Sequence, residues 1–497
     1  MGQIRKQTIQ SSFLSYAGFL IGAINTYFFT KQGLFTPEQY GLTQTIISIT
    51  QMLAPVATLG ATVLIAKFYP YYFDRLSNKD NDMLGMSLII MSIGALLVFS
   101  ASLIFEPLVI RKFSARSAMV VTYYYWSLGY AFSYLCFMLL EAYLGSLKRT
   151  VIPSFMKETV YRSCVSVLII LYAFQVISFA TFVKLFCSIY LLIVALLVGY
   201  LVLTKQLYLT FRFSPVTRRL KKQIRVYVAF VYSGIAINGI ARQIDTLAVA
   251  GAGSLGEAGI YTLNQFSAAI LQVPYRALIA IAGPTIARYW KEKKKKDIDR
   301  IYKRSSINML LLSSFLFLQI WLNYDDGLAM LGLDKQYSTG KMVFLILGIY
   351  NIMDLTVGIS GSVISTSPAW RFEFYSGVVL LLFSIPLNIL MARLYSMHGV
   401  ALATLITFFI YNTIRVIFVR KRFGIWPFTI KTLHAILFLL ALYFTVWLLL
   451  GHWHGIAAIF VRAILLTVLF VGGTLVFKLT PDFQQVADIV LKKLKLK

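Results

Sequence analysis

Several amide and ionisable side chains of this sequence lie inside long apolar stretches, where such groups are costly and are functional candidates by default. Asn238, Arg242 and Asp245 are spaced i, i+4 and i+7, so a helix presents all three on one face. The planar guanidinium of Arg242 offers forked donors that suit an anionic ligand. It is equally suited to pair with Asp245 one turn away and fix helix packing, and the sequence leaves both interpretations open.

A second polar face follows in the next apolar stretch. Gln265, Gln272 and Arg276 are spaced i, i+7 and i+11, which again places them on one side of a helix. Arg276 has no acidic residue within one turn on its own helix. This favours a role in binding a ligand over a role in local pairing.

Three acidic residues in apolar stretches are candidates for carrying a coupling proton or sodium ion, namely Glu141, Asp245 and Asp354. The protonation of a carboxylate in a low-dielectric site depends on its surroundings, which is the property that coupling requires. The alternative is that these groups form hydrogen bonds between helices or lie near lipid headgroups. The cysteines have no metal-ligand spacing, so we expect neither a metal site nor a cofactor.

The elements that carry these residues must cross a membrane. The 497-residue chain is 59% hydrophobic and 13% charged, with a mean hydropathy of +0.75, whereas a soluble domain has about 25% charged residues. This excludes a soluble enzyme, a disulfide scaffold and a disordered protein. About fourteen apolar stretches have the length of a spanning helix, so the sequence predicts an all-α membrane protein. They lie near residues 10–31, 41–66, 83–110, 117–144, 151–176, 179–204, 224–250, 257–287, 304–324, 340–365, 370–393, 398–419, 430–450 and 455–478.

Basic residues are in large excess, with a formal net charge of +28. Lys and Arg concentrate on one side of the predicted spans, including Lys157 and the group from Arg415 to Lys431, and we assign that side to the cytoplasm. An even number of spans then places both termini in the cytoplasm. We attribute the excess to this bias and expect no nucleic-acid binding. The tail from Pro481 to Lys497 combines apolar residues at helical spacing with lysines, which predicts an interfacial helix on anionic lipid headgroups.

The first half of the sequence repeats in the second. At an offset of 218 residues Gly41 matches Gly259, and at an offset of 221 Gln44 and Gln51 match Gln265 and Gln272. The repeat spans six helices, so both copies share one orientation. We therefore predict two pseudo-repeated six-helix bundles, a substrate cleft between them, and two additional C-terminal helices. The predicted domains are an N-terminal bundle (1–215), a C-terminal bundle (216–425) and a segment with the two extra transmembrane helices and the basic amphipathic tail (426–497).

Short motifs along the chain resemble those of a known family. Lys67–Pro70 (KFYP) closes the second apolar stretch, Gly256–Tyr261 (GEAGIY) opens the eighth, and the basic exit Ala287–Lys291 (ARYWK) follows it. These motifs are similar to those of bacterial polysaccharide-export flippases of the O-antigen type. That family belongs to the superfamily that also contains multidrug and toxic-compound (MATE) exporters and the lipid-linked peptidoglycan-precursor flippase.

The resemblance implies a non-enzymatic flippase of the bacterial inner membrane. Such proteins move undecaprenyl-diphosphate-linked oligosaccharide across the membrane for surface polysaccharide biosynthesis, and we expect alternating access. In that role Arg242 and Arg276 would hold the diphosphate, while amide side chains meet the sugar hydroxyls. The predicted amide contacts are Gln44, Gln51, Asn238, Gln265 and Gln272. Expected partners are the lipid-linked oligosaccharide, membrane lipids and other membrane proteins of polysaccharide assembly.

Two rival functions stay open on the sequence. A MATE-type drug or cation antiporter would favour an acidic lumen, whereas the ionisable residues inside the predicted spans lean basic. The rival from a different class is a polytopic glycosyltransferase or polymer ligase, for which Asp325 and Asp326 form a candidate acidic pair. Such an enzyme would carry a large outer domain, and no predicted outer loop is long enough for one.

Overall fold

The computed structural model describes residues 2–77 and 80–485. The predicted interfacial tail lies mostly outside these residues, from 486 to 497. The described residues form helices and connecting turns and contain no β-strand, which confirms the all-α prediction. The chain divides into two compact units, residues 1–259 and residues 260–497, and the boundary falls inside one helix, α12 (Leu255–Ala269).

Unit 1 contains the first eleven helices and the start of the twelfth. They are α1 (Gly2–Thr30), α2 (Pro37–Ala57), α3 (Ala61–Phe73), α4 (Met83–Ile104), α5 (Glu106–Phe113), α6 (Ala118–Thr122), α7 (Tyr124–Ser146), α8 (Val151–Phe155), α9 (Tyr161–Ala173), α10 (Phe179–Leu203) and α11 (Pro215–Ala252). A π-helical segment, Met156–Val160, joins α8 to α9.

Unit 2 contains the rest of α12 and eight further α-helices. They are α13 (Val273–Lys291), α14 (Lys295–Leu322), α15 (Tyr324–Met330), α16 (Lys341–Val357), α17 (Ser360–Ser365), α18 (Arg371–Phe423), α19 (Ile430–Leu450) and α20 (Ile456–Val476). Two 3₁₀ segments, Ile270–Gln272 and Lys335–Gly340, precede α13 and α16.

Each of the fourteen predicted apolar stretches coincides with a helix or a series of consecutive helices. Within the described part of the chain, nine helices are long and apolar enough to cross a membrane, or eleven when each bent pair is counted as one span. The long α18 accounts for two predicted stretches, because Ser396 has a φ of 48° and breaks it into two limbs. The stretches near 10–31 and 151–176 do not meet that criterion. The apolar part of α1 is the shorter segment Ala17–Thr30, and the other stretch is divided among α8, the π-helical segment and α9.

Local sequence explains where the helices of unit 1 begin and bend. Thr36 and Gln39 form a reciprocal capping box before α2, and Pro37 occupies the first helical position, where its missing N–H costs nothing. The α2–α3 pair bends by 47°, and Gly60 supplies a left-handed φ of 81° at the bend. The break lets one predicted span change direction inside the bundle.

Candidate functional site

A polar cavity of about 200 Å³ lies inside unit 1, lined by residues of α2, α7, α9, α10 and the π-helical segment. Its wall combines charged, amide and tyrosine side chains. Ionisable residues inside a membrane-spanning bundle mark sites for polar or ionic ligands. We call this set the unit-1 cluster. Its members are Gln51, Tyr130, Tyr134, Glu141, Lys157, Glu158, Tyr161, Arg162 and Tyr190.

Two ion pairs supply the charge of the unit-1 cluster. Glu141 on α7 lies 3.5 Å from the ammonium of Lys157 on the π-helical segment. Glu158 lies 2.9 Å from the guanidinium of Arg162, one turn further along. All four side chains are partly exposed, so a ligand can reach them. The cluster is charge-balanced, because its two carboxylates pair with its two cations.

Arg162 also connects α9 to α1. Its guanidinium donates a hydrogen bond to the Gly18 carbonyl, and the Asn25 amide donates to the Arg162 carbonyl at 2.9 Å. The Ser166 hydroxyl donates to the Asn25 side-chain oxygen at 2.7 Å. The π-helical segment ends two residues before Arg162, and π-bulges within α-helices occur frequently at functional sites. The charge of the cluster is thereby linked to the position of the first helix.

Tyrosines form the opposite side of the cavity. The hydroxyls of Tyr130 and Tyr161 lie 2.8 Å apart and share a hydrogen bond. The Tyr190 ring stacks on Tyr161 with a centroid distance of 5.0 Å and meets Tyr134 edge-on at 4.9 Å. Tyrosine offers a flat apolar face and a polar hydroxyl in one side chain. This wall therefore suits a ligand that is both ring-shaped and rich in hydroxyl groups.

Three of the predicted amide contacts, Gln44, Gln51 and Asn238, lie in unit 1, and Gln51 belongs to the cavity. Gln51 lines the cavity, and its side-chain oxygen accepts a 2.7 Å hydrogen bond from Gln243 on α11. Its neighbour Thr50 is buried, and the Thr50 hydroxyl has no hydrogen-bond partner. Gln44, two turns earlier on α2, is half-buried and does not line the cavity.

The predicted polar face of α11 is only partly described. Arg242 is exposed, whereas Asp245 is 6% exposed. Among the described residues, the ion pairs within 4 Å do not include Arg242 with Asp245, so the local-pairing interpretation gains no support. The side chain of Asn238 lies outside the described part of the structure. Arg242 keeps its forked donors available on this helix.

In unit 2 the predicted polar residues differ in burial and in hydrogen bonding. The Gln272 amide donates a 2.6 Å hydrogen bond to the side-chain oxygen of Asn351 on α16. Gln265 is half-buried, and Arg276 is exposed. Asp354 accepts a 2.9 Å hydrogen bond from Asn412, in the second limb of α18. This last contact is the interhelical hydrogen bond that the sequence leaves open as an alternative to ion coupling.

A second buried cation lies in unit 2. Arg415 is 7% exposed, and its guanidinium contacts both carboxylate oxygens of Glu373 at 2.8 and 3.0 Å. The positive-inside count assigns Arg415 to the cytoplasmic basic residues. In the structure Arg415 is buried and lies two turns before the end of α18. Its partner on the other limb of α18 lies 42 positions away in sequence, a separation that the charge count does not take into account.

The sequence interpretation missed most of the unit-1 cluster. Lys157, Glu158 and Arg162 lie in one predicted span, and three ionisable residues within six positions of an apolar stretch are a signal of function. Because Lys157 was counted among the cytoplasmic basic residues, the three residues were not recognised as a group. The tyrosine wall had no comparable signal, because the chain contains 30 tyrosines and only packing selects four of them.

The acidic pair considered for sugar transfer is engaged in two separate contacts. Asp325 pairs with Lys341, and Asp326 lies 2.9 Å from Arg462 and 3.4 Å from His454. Burial alone would raise the pKa of Asp326, but hydrogen bonds from the Gly455 amide, Arg462 and His454 together hold that pKa below its usual range. Over the described residues, no group of three or more His, Cys, Asp or Glu side chains is arranged to hold a metal ion.

Comparison with known proteins defines the class of fold. No protein-family model matches this sequence, and no curated protein matches it. Among solved structures, the same multi-span helical fold is found in a lipid II flippase and in multidrug and MOP superfamily transporters.

Three of these solved structures are similar over most of the chain. The lipid II flippase MurJ in an inward closed conformation is similar with a TM-score of 0.72 at 13% identity, covering 94% of this chain and 98% of that one. An inward-facing multidrug resistance MATE family transporter has a TM-score of 0.62 at 13% identity, with 82% and 94% covered. A MOP superfamily transporter from Pyrococcus furiosus has a TM-score of 0.55 at 11% identity, with 85% and 96% covered. At these identities the likeness shows the fold alone.

Proposed function

We propose that this protein is a flippase that moves undecaprenyl-diphosphate-linked oligosaccharide across the bacterial inner membrane for surface polysaccharide biosynthesis. The proposal joins the motif resemblance to polysaccharide-export flippases with the fold shared with a lipid II flippase. The function is transport without covalent chemistry. Because the polyprenyl tail stays in hydrocarbon, the protein must chiefly offset the desolvation of the polar headgroup.

The observation that carries the proposal is the unit-1 cluster. A large polar head with sugar rings and anionic groups requires cations, hydroxyl partners and flat surfaces along its path. Lys157 and Arg162 supply the cations, while Tyr130 and Tyr161 supply hydroxyls and ring faces. Gln51 adds an amide at the same wall. Such a set is costly to bury in a membrane protein, and a structural role alone would be met by apolar packing.

The diphosphate is assigned to arginines outside the cavity. Arg242 and Arg276 are both exposed, and neither forms an ion pair with a described carboxylate within 4 Å. Their guanidinium groups are therefore free for bidentate contact with phosphate oxygens. In this proposal the arginines hold the charge of the substrate, and the unit-1 cluster contacts the polar head during transport.

One observation favours a second candidate, a MATE-type cation antiporter. The unit-1 cluster contains as many carboxylates as cations, because Glu141 and Glu158 balance Lys157 and Arg162. If both carboxylates were freed from their pairs, the cavity would suit an organic cation stacked on tyrosine faces. The two candidates differ in the charge of the molecule that is moved, so one assay can separate them.

The decisive experiment reconstitutes the purified full-length protein in liposomes with a fluorescent lipid-linked diphosphate oligosaccharide. A membrane-impermeant reductant added outside bleaches only the outer leaflet. We expect the bleached fraction to rise from about half towards all of the signal, because flipping exposes the inner pool. A lipid carrying fluorescent phosphocholine in place of the diphosphate sugar is the matched control and should stay half-protected.

Three outcomes would contradict the proposal. Protection of half the diphosphate oligosaccharide at all protein densities would exclude flipping. Proton-driven or sodium-driven uptake of ethidium by the same liposomes, without flipping, would establish the antiporter instead. Transfer of sugar onto an acceptor by the purified protein would indicate an enzyme.

A further inference from the structure

A second cavity in unit 1 lies apart from the unit-1 cluster and shares no residue with it. It has a volume of about 500 Å³, and its walls come from the last turn of α3, the last turn of α7 and the residues that follow α10. These three helices end on the side that the sequence assigns to the cytoplasm. A cavity at the ends of spanning helices lies at the depth of lipid headgroups. We call it the rim cavity.

Charges of both signs line the rim cavity. Lys148 follows the end of α7 and Lys205 follows the end of α10, while Asp74 follows the end of α3. Both lysines have left-handed backbone conformations, with φ values of 59° and 52°. Glycine is the usual residue at this position after a helix because a side chain is strained there. Both lysines line the cavity, so each brings a side chain with an ammonium group to it.

The inner part of the rim cavity is ordered by tyrosine and amide contacts. The Tyr143 hydroxyl donates a 2.9 Å hydrogen bond to the Gln206 carbonyl, and its ring meets Tyr69 edge-on at 6.0 Å. The side-chain oxygen of Gln206 is buried and has no hydrogen-bond partner among the residues that the structure describes. A buried acceptor without a donor costs free energy, and a modest rotation of this amide towards the cavity would allow a bound donor to satisfy it.

Apolar surface adjoins the polar lining. Phe73 lines the cavity and is 60% exposed, and Leu203, the last residue of α10, is 85% exposed. Acyl chains that lie along the ends of α3 and α10 would cover them.

We propose that the rim cavity binds the headgroup of a phospholipid that carries both a phosphate and a primary ammonium group, as phosphatidylethanolamine does. The two lysines contact the phosphate as charge-assisted donors. The ammonium donates to Asp74 and to Gln206, and the faces of Tyr69 and Tyr143 provide further attraction for the cation. The acyl chains lie against Phe73 and Leu203. This inference is independent of the proposed transport function.

The test is competition among lipids for the full-length protein in detergent, read by native mass spectrometry. Phosphatidylethanolamine, phosphatidylcholine and phosphatidylglycerol with identical acyl chains are added in equal amounts. We expect retention of phosphatidylethanolamine to exceed that of each competitor by about tenfold, the effect of one hydrogen bond to a charged group. Phosphatidylcholine lacks the N–H donors, and phosphatidylglycerol lacks the cation.

Variants locate the preference at the rim cavity. Lys148→Ala combined with Lys205→Ala should abolish it, and Asp74→Asn should shift the preference towards phosphatidylglycerol. Lys221→Ala combined with Lys222→Ala removes two exposed lysines of α11 that do not line the cavity, and this control should keep the wild-type preference. The midpoint of thermal unfolding verifies folding, and Asp74→Asn tests the proposal by itself if the double lysine variant is unstable.

Three results would overturn the proposal. These are equal retention of the three lipids by the wild type, an unchanged preference in the Lys148 and Lys205 variant, or an unchanged preference in Asp74→Asn. Soluble phosphoethanolamine is the remaining arm of the test. If it displaces the lipid at equal concentration, the acyl chains contribute nothing and the lipid assignment is wrong.

Discussion

Gly41 on α2 and Gly259 on α12 lie in direct backbone contact. A Cβ atom on Gly259 would be 3.1 Å from the Gly41 nitrogen and 3.4 Å from its Cα, and a Cβ atom on Gly41 would overlap the Leu255 carbonyl oxygen. These are the two glycines that the internal repeat matches at an offset of 218 residues. Small residues let helix backbones approach closely in membrane proteins. Here the two matching positions of the repeat place one glycine on α2 and one on α12.

This contact predicts that Gly41→Ala destabilises the protein. The added methyl group cannot be accommodated without moving backbone atoms, so we expect a loss of about 2 kcal/mol. Gly199→Ala is the matched control, because nothing lies within 4 Å of a Cβ at that helical position. The control should be neutral or stabilising by up to about 1 kcal/mol. Thermal unfolding in detergent measures both, and equal midpoints for the two variants would contradict the close contact.

Arg276 provides a test of the diphosphate assignment. Arg276→Ala removes forked donors that no described carboxylate occupies, so we expect surface polysaccharide export to be lost while the protein inserts normally in the membrane. Arg276→Lys should restore little activity, because an ammonium cannot contact phosphate oxygens in a fork. Arg393→Ala, which removes another exposed arginine of unit 2, serves as the control. Normal surface polysaccharide in Arg276→Ala at matched protein levels would show that Arg276 is not needed to bind the diphosphate.

The pair of Glu141 and Lys157 predicts coupled effects on transport. Either Glu141→Gln or Lys157→Met leaves one charge of the cluster without its partner, so each variant should slow flipping about tenfold or more. The double variant should be less impaired than the product of the two single effects. Asp299 and Lys303 form a comparable pair at 2.6 Å near the basic start of α14. Neutralising Asp299 and Lys303 should leave the flipping rate unchanged. If flipping slows equally in this control, the effect is not specific to the unit-1 cluster.

Asp326 predicts a pH dependence of stability. Its pKa is lowered in the folded protein, so its stabilising contribution is complete above the unfolded value of about 3.9 and is lost as the pH falls through the lower folded value. The unfolding midpoint of Asp326→Asn should lie below that of the wild type at neutral pH. The two midpoints should converge only below about pH 4. Asp325 is more exposed than Asp326, so the unfolding midpoint of Asp325→Asn should differ less from that of the wild type. If the midpoint of Asp326→Asn stays below that of the wild type at low pH, the ionised Asp326 carboxylate is not the source of the stabilisation.

The candidate site could be predicted from sequence only in part. Glu141 and Gln51 were recognisable as polar residues in apolar stretches, and both belong to the unit-1 cluster. The partners of these residues could not be recognised. Gln51 meets Gln243 across 192 positions of sequence, and Glu141 meets a lysine on another helix. Such pairs depend on how each helix is rotated about its axis, and a helix that is apolar all round does not specify that rotation.

The amino-acid order alone determined the class of fold and the succession of helices. Stretches this apolar have few ways to satisfy their backbone groups in lipid, and helices of spanning length are the simplest. Tertiary packing alone decided which charges are paired, that Arg415 is buried against Glu373, and that three helix ends enclose a cavity. These outcomes depend on the register and rotation of neighbouring helices, to which side chains far apart in the chain contribute together.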